Sequence, residues 1–236
     1  MSKDGKLIFR HQFSRKSLQI NFKEAMLIAM IKTKGVFVFF GLLSFILVAA
    51  SAHAQTDVAL SLYGAFNGST SGNGTQQSPS NSAGGLIELR HISQPWMGYD
   101  VTYSYNRDNQ VYNASSIVCP AFSCNAPTPA SVSANAHELT GDYVVSVKVA
   151  KLRPFALGGL GLLLNQPVSG QSNTQSSTKP VFVYGAGLDW GVVPHIGLRL
   201  QYRGTLYKAP DLTKLYTSTG AFTHSSEPMI GAYFRF

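Results

Sequence analysis

Pro228-Met229-Ile230-Gly231-Ala232-Tyr233-Phe234-Arg235-Phe236 is the stretch whose reading decides the fold. Ile230, Ala232, Phe234 and Phe236 are apolar at every second position, with Gly231, Tyr233 and Arg235 between them. A period of two marks a strand with one oily face and a different opposite face. The strand runs to the last residue of the chain, an aromatic one. A water-soluble domain rarely ends on an exposed Phe, whereas a closed barrel in lipid needs its last strand to pair with its first, because no backbone edge is tolerated there.

The other end of the chain agrees. Gly35 to Ala50 is almost unbroken apolar sequence, preceded by Lys32 and Lys34 and followed by Ser51-Ala52-His53-Ala54. A basic start, a short apolar core and a small-x-small ending predict a secretory signal peptide, so residues 1–54 are expected to be leader and residues 55–236 the mature barrel, beginning at Gln55. The apolar run falls short of the ~20 residues a spanning helix needs. The first 29 residues form a basic leader without periodicity; a start at Met26 or Met30 would leave a signal of ordinary length.

Removing the leader changes the meaning of the charge. The whole chain carries a formal +8, but eight of its 19 Lys and Arg fall within residues 1–54, against only Asp4 and Glu24. The remainder has 11 basic and nine acidic residues, a net +2. Nucleic acid is therefore not an expected partner. What is left is rich in Gly, Tyr, Phe, Ser, Asn and Thr and has no amphipathic helical run, as an all-β chain with polar loops would be.

Period-two reading predicts eight strands: 58–67, 84–92, 97–106, 135–149, 152–164, 181–191, 196–206 and the C-terminal one. In 97–106, Tyr99, Val101, Tyr103 and Tyr105 alternate with Asp100, Thr102, Ser104 and Asn106. The fifth strand is Gly-rich and apolar on both faces, which leaves its register open. The links 68–83, 107–134, 165–179 and 207–227 are long and polar; 93–96, 150–151 and 192–195 are short. Long and short links alternate strictly. A soluble sandwich has no reason to sort its loops by parity, whereas an outer-membrane barrel has long loops outside and short turns in the periplasm.

The chain therefore resembles the small OmpA/OmpX-type eight-stranded barrels of Gram-negative outer membranes over nearly all of residues 56–236, with no OmpA-like peptidoglycan-binding domain after Phe236. The resemblance implies insertion by the barrel-assembly machinery, which in that family reads the alternating C-terminal segment, here Ile230, Ala232, Phe234 and Phe236. It also implies contact with outer-membrane lipids and lipopolysaccharide.

Strand parity places Glu88, Arg90, Asp100, Glu138, Asp142, Lys148, Asp189, Arg199, Arg203 and Arg235 on the face opposite the aliphatic and aromatic residues, joined by Arg153. Five acids against six bases can pair almost completely. Two readings stay open: a salt-bridged filling that plugs the barrel, or a conducting polar lumen. Eight strands leave an interior just wide enough for side chains. Trp96, Trp190, Phe234 and Phe236 fall beside short turns, and Tyr103, Tyr105, Tyr202 and Tyr207 near long loops, which predicts two aromatic belts.

Cys119 and Cys124 are the only cysteines. Export places them in an oxidising compartment, where a disulfide closing a small loop is expected; a metal site would need more ligands than that segment offers. His224-Ser225-Ser226-Glu227 resembles the His-x-Ser pair of PagL-type lipid A deacylases, which implies His224 and Ser226 as candidate base and nucleophile. The context departs from that family: the pair stands at a loop–strand junction, and Glu227 points to the opposite side of its strand from Ser226, whereas such a base needs an orienting carboxylate within reach. His91, His137 and His195 are scattered. There is no phosphate-binding Gly pattern, zinc signature or paired carboxylates at glycosidase-like spacing, so no cofactor or metal is expected. The sequence thus predicts an all-β, eight-stranded antiparallel transmembrane barrel with a structural or surface-interaction role, the alternatives being a lipid A-modifying hydrolase or a narrow channel.

Overall fold

The computed structural model describes residues 55–115 and 128–236. They form β1 (Gln55–Asn67), β2 (Thr70–Gly72), β3 (Thr75–Pro79), β4 (Ser82–Ile92), β5 (Met97–Ala114), β6 (Ala130–Ser146), β7 (Leu152–Pro167), β8 (Ser177–Val193), β9 (Ile196–Lys208) and β10 (Phe222–Arg235). All pairings are antiparallel. Around the sheet the order is β2-β3-β5-β4-β1-β10-β9-β8-β7-β6, and a further β5–β6 pairing closes it into a barrel. The C-terminal strand zips onto the first, from Asp57 opposite Arg235 to Asn67 opposite Ser225. The barrel has eight staves, because β3 and β4 follow one another along the edge of β5.

The alternation is inverted relative to a soluble protein. Leu60, Leu62, Leu160 and Ile230 face outward, while Arg90, Arg199 and Arg203 are at most 1 % exposed. Such an arrangement is favourable only where the surroundings are apolar, since water would leave the oily wall uncovered.

Two features depart from the expected layout. Residues 68–83, expected as a loop, contain the β2–β3 hairpin, turning at Asn73 (φ 51°) and Gly74 (φ 75°). Asn-Gly is the signature of the two-residue turn that needs left-handed backbone at both positions. The walls also extend further than expected. β5 is 18 residues long and β6 is 17, against the ~9–11 needed for a tilted crossing. The inward series simply continues upward through Asp108, Gln110 and Tyr112 on β5 and through Ala134 and Val132 on β6. Segments 107–114 and 130–134 are therefore wall rather than loop.

The register of β7 settles as Arg153, Phe155, Leu157, Leu163 and Asn165 inward. Its apolar inner face has a purpose. The Phe155 ring lies under two guanidinium groups, with Cζ of Arg90 4.0 Å and Cζ of Arg199 5.5 Å from its centroid, a contact that favours desolvated cations.

Candidate functional site

The lumen is filled in three storeys. Nearest the short turns, Arg90 and Arg199 meet carboxylates from four strands. Arg90 Nη2 lies 2.7 Å from Glu88 and 3.1 Å from Asp100. Arg199 holds Asp189 through Nε at 2.7 Å and Asp57 through Nη2 at 3.0 Å, and also contacts Glu88. The middle storey centres on Arg203, 2.6 Å from Glu138, 3.4 Å from Glu227 and 3.0 Å from Thr140 Oγ1. A cavity of about 20 Å³ lies beside it, lined by Tyr63, Glu138, Tyr207 and Glu227 among others, room for about one water.

The third storey closes the long-loop end. Residues 209–221 fold inward, so that Ala209, Leu212, Thr213 and Thr219 are buried. The Tyr112 hydroxyl donates to the Pro210 carbonyl at 2.9 Å and accepts from the Leu212 N–H at 3.2 Å. Gln77 Nε2 also donates to Pro210 at 3.0 Å. Asn73 Nδ2 donates to the Ser218 carbonyl at 2.8 Å, and a side chain at Gly72 would collide with the Thr219 carbonyl. Beside this cap, partial burial pushes the Asp211 carboxyl up from its ordinary range, with the Lys179 ammonium pulling it back down.

Of the ten charged residues expected inside, Glu88, Arg90, Asp100, Glu138, Asp142, Asp189, Arg199 and Arg203 are buried there, as is Arg153. Lys148 is not: it is exposed. β5 begins at Met97, opposite Val145, so residues 147–149 stand beyond the rim, and Pro154 across from them has no N–H for the ladder. Arg235 is half-buried at the same mouth. The expected five-against-six balance also changes, because Asp57, Asp108 and Glu227 are buried too. Strand parity carried one residue past each predicted strand end would have found Asp57 and Glu227; Asp108 lies in a polar stretch whose composition predicts a loop. Tyr207 is likewise buried in the lumen rather than set in a belt, since odd positions of β9 point inward. Cys119 and Cys124, with the leader 1–54, lie outside the described residues.

His224 and Ser226 sit on the outer wall. Tyr184 Oη lies 2.9 Å from His224 Nε2, Tyr202 Oη donates to Ser226 Oγ at 3.0 Å, and Ser226 Oγ is 3.5 Å from His224 Nδ1. Glu227 is on the other side of the wall, paired with Arg203. Among the described residues the partners of this His-Ser pair are tyrosines, and no carboxylate hydrogen-bonds His224. Nor do three or more His, Cys, Asp or Glu side chains among them converge as a metal site.

The family model described as "Outer membrane protein beta-barrel domain" matches residues 40–224, most of the chain. The chain belongs to the outer membrane protein β-barrel domain family. It is accordingly an outer-membrane protein. Solved structures share the fold of this outer-membrane barrel at low identity. Neisserial surface protein A (NspA) is 14 % identical, with 78 % of this chain and 100 % of that one covered and a TM-score of 0.50. OprG from Pseudomonas aeruginosa is 9 % identical, with 80 % and 98 % covered and a TM-score of 0.51. Ail, the attachment invasion locus protein of Yersinia pestis, is 16 % identical, with 78 % and 100 % covered and a TM-score of 0.47. No curated protein matches the chain.

The outer wall of this outer-membrane barrel carries aromatic side chains at both ends. Trp96, Trp190, Phe234 and Phe236 are exposed at the short-turn end, and Tyr103, Tyr105 and Tyr202 towards the long-loop end. Outward-facing charge is of one sign. Arg107, Lys148, Lys151, Lys208 and Lys214 are exposed, while eight of the nine acids of residues 55–236 are buried.

Proposed function

We propose that this outer-membrane barrel is a closed, non-conducting and non-catalytic surface protein, with its long-loop end facing outward as the partner-meeting surface. The observation that carries this reading is the lumen from Arg199 to Arg203, where buried ion pairs and the Phe155 ring occupy the width an eight-stranded barrel leaves. The inward-folded segment 209–221 adds a second obstruction. What stays available for contact is the polar rim around that cap, on loops held by a rigid wall.

The exposed Arg107, Lys208 and Lys214 near that end support contact with the phosphates of lipopolysaccharide, and the aliphatic wall supports contact with the acyl chains of outer-membrane lipids. Ile230, Ala232, Phe234 and Phe236 would serve as the strand read by the barrel-assembly machinery. Single-channel recording of the purified barrel in planar bilayers tests the closed reading. No discrete conductance steps are expected, and regular steps that vanish on heat denaturation would replace this reading with a narrow channel. For the catalytic alternative, the lipid A of expressing cells is expected to keep its acylation pattern by mass spectrometry; loss of one acyl chain that depends on Ser226 would establish a hydrolase.

A further inference from the structure

Below the ion-paired storeys the short-turn end opens into a cavity of about 360 Å³, whose lining includes Lys148, Lys151, Arg153, Asp189, Tyr233 and Arg235. Four of these six side chains are cationic. The single carboxylate, Asp189, is committed to Arg199 through both oxygens, at 2.7 and 3.0 Å. Arg153 is only 6 % exposed. It gives one Nη2–H to Gln55 Oε1 at 2.7 Å, while its Nε and Nη1 are buried with no hydrogen-bond partner among the described residues. Arg235 Nε is in the same condition.

Buried donors in folded proteins are satisfied in the great majority of cases. Two arginines in the lining of one cavity, each with an unmet guanidinium donor, are an exception that asks for an acceptor. The carbonyl of Lys151 is already taken by Gly191 N–H, at 2.8 Å, and that of Arg235 lies 3.0 Å from His195 Nδ1. Guanidinium forks match the oxygens of phosphate and carboxylate groups in charge and geometry, and the exposed ammonium groups of Lys148 and Lys151 would add to the positive potential at the entrance. The volume is at the small end of small-molecule sites, ~300–1,000 Å³, enough for a phosphate-sized group and its immediate substituent.

We propose that the short-turn mouth is a binding site for a phosphate-type oxyanion, held by Arg153 and Arg235 and attracted by Lys148 and Lys151. The oxyanion comes either from a soluble phosphate compound or from the headgroup of an anionic phospholipid in the adjoining leaflet, to which the exposed Trp190, Val192 and Val193 bring the mouth close. The site does not depend on a closed lumen: a conducting barrel would overturn the proposed function without touching it.

The test uses the whole purified barrel, first in zwitterionic detergent, with inorganic pyrophosphate as the probe and the arginine Nε–H resonances as the readout. The Arg153 and Arg235 resonances are expected to shift saturably, while that of Arg199, sealed in its ion pairs, stays in place. The Lys148→Gln/Lys151→Gln double variant, altered only at exposed positions, is expected to fold normally and to bind several-fold more weakly. Absence of a saturable shift at Arg153 and Arg235, or equal binding by the double variant, overturns the proposal. Repeating the titration in phosphatidylcholine nanodiscs with and without phosphatidylglycerol separates the sources. Displacement of pyrophosphate by phosphatidylglycerol supports a lipid headgroup, and undiminished binding supports a soluble phosphate.

Discussion

Arg199 on β9 reaches past β10 to Asp57 on β1, its Nη2 3.0 Å from the Asp57 Oδ1. The contact joins staves that share no backbone hydrogen bonds, so it ties the place where the chain closes on itself to the wall beyond it. Both side chains are fully buried, at 0 % exposed. Ions so placed have given up their water and depend on each other and on their neighbours.

Removing Arg199 therefore strands Asp57 and leaves Glu88 and Asp189 with Arg90 as their remaining cation, at 2.7 and 3.6 Å. Breaking a buried pair by deleting one partner costs ~3–5 kcal/mol, which in a barrel of this size lowers the unfolding midpoint by on the order of 10 °C. Arg199→Leu is expected to show that loss in thermal unfolding of the purified barrel. Leu200→Ala, one residue on but facing lipid, is expected to cost clearly less, because acyl chains fill the space and no ion is left alone. Equal, mild effects would mean a hydrated inner face.

How legible this was in the sequence depended on whether parity alone decided a residue's place. Arg199, Glu88 and Asp189 fall mid-strand, where alternation is enforced by lipid on one side and packed charges on the other, and parity placed them inside. Lys148 obeys the same alternation, yet its stave has outrun its neighbour at Met97, and no single-strand pattern records where a neighbour begins. The Asn73-Gly74 turn was written plainly in residue types but lay within a polar stretch that reads as loop. The inward fold of 209–221 was not legible at all. It depends on Gln77 and Tyr112 meeting Pro210 and Leu212, contacts between segments about 100 residues or more apart that no local pattern reports.

Phe236 tests the assembly reading. Its backbone N–H bonds to the Thr56 carbonyl at 3.0 Å, and its ring lies 6.1 Å from that of Phe234. Deleting it removes the last aromatic of the alternating segment and one closing hydrogen bond, while leaving the leader untouched. Cell fractionation is expected to find the variant processed and exported but held in the periplasm and sensitive to protease. Normal insertion would refute a role for Phe236 in recognition.

Tyr112 tests the cap. Its hydroxyl serves both the Pro210 carbonyl and the Leu212 N–H, so Tyr112→Phe leaves the Leu212 N–H without that acceptor, at about 1–3 kcal/mol, while the Pro210 carbonyl keeps Gln77. The ring itself stays, so the wall is expected to hold its thermal midpoint while the cap loosens. Limited proteolysis is the measurement: cleavage within 209–221 is expected to quicken in the variant. An unchanged cleavage rate would mean that Gln77 and the Asn73–Ser218 contact suffice to hold the segment.

Surface labelling of intact cells joins the orientation to the cap. With the long-loop end outward, single cysteines there should react with an impermeant maleimide only where the cap leaves them exposed. Leu215 is 62 % exposed and Thr213 only 2 %, two residues apart on the same segment. A simple floppy loop would label at both. Leu215→Cys is expected to label rapidly and Thr213→Cys slowly, in a background where Cys119 and Cys124 are replaced by Ser. Pro194→Cys, exposed at the opposite end, is expected to stay unlabelled until the cells are lysed. Labelling at Pro194 but not at Leu215 in intact cells would invert the barrel. Equal rates at Leu215 and Thr213 would show the cap open in the membrane, and the lumen would then be sealed by its arginine storeys alone.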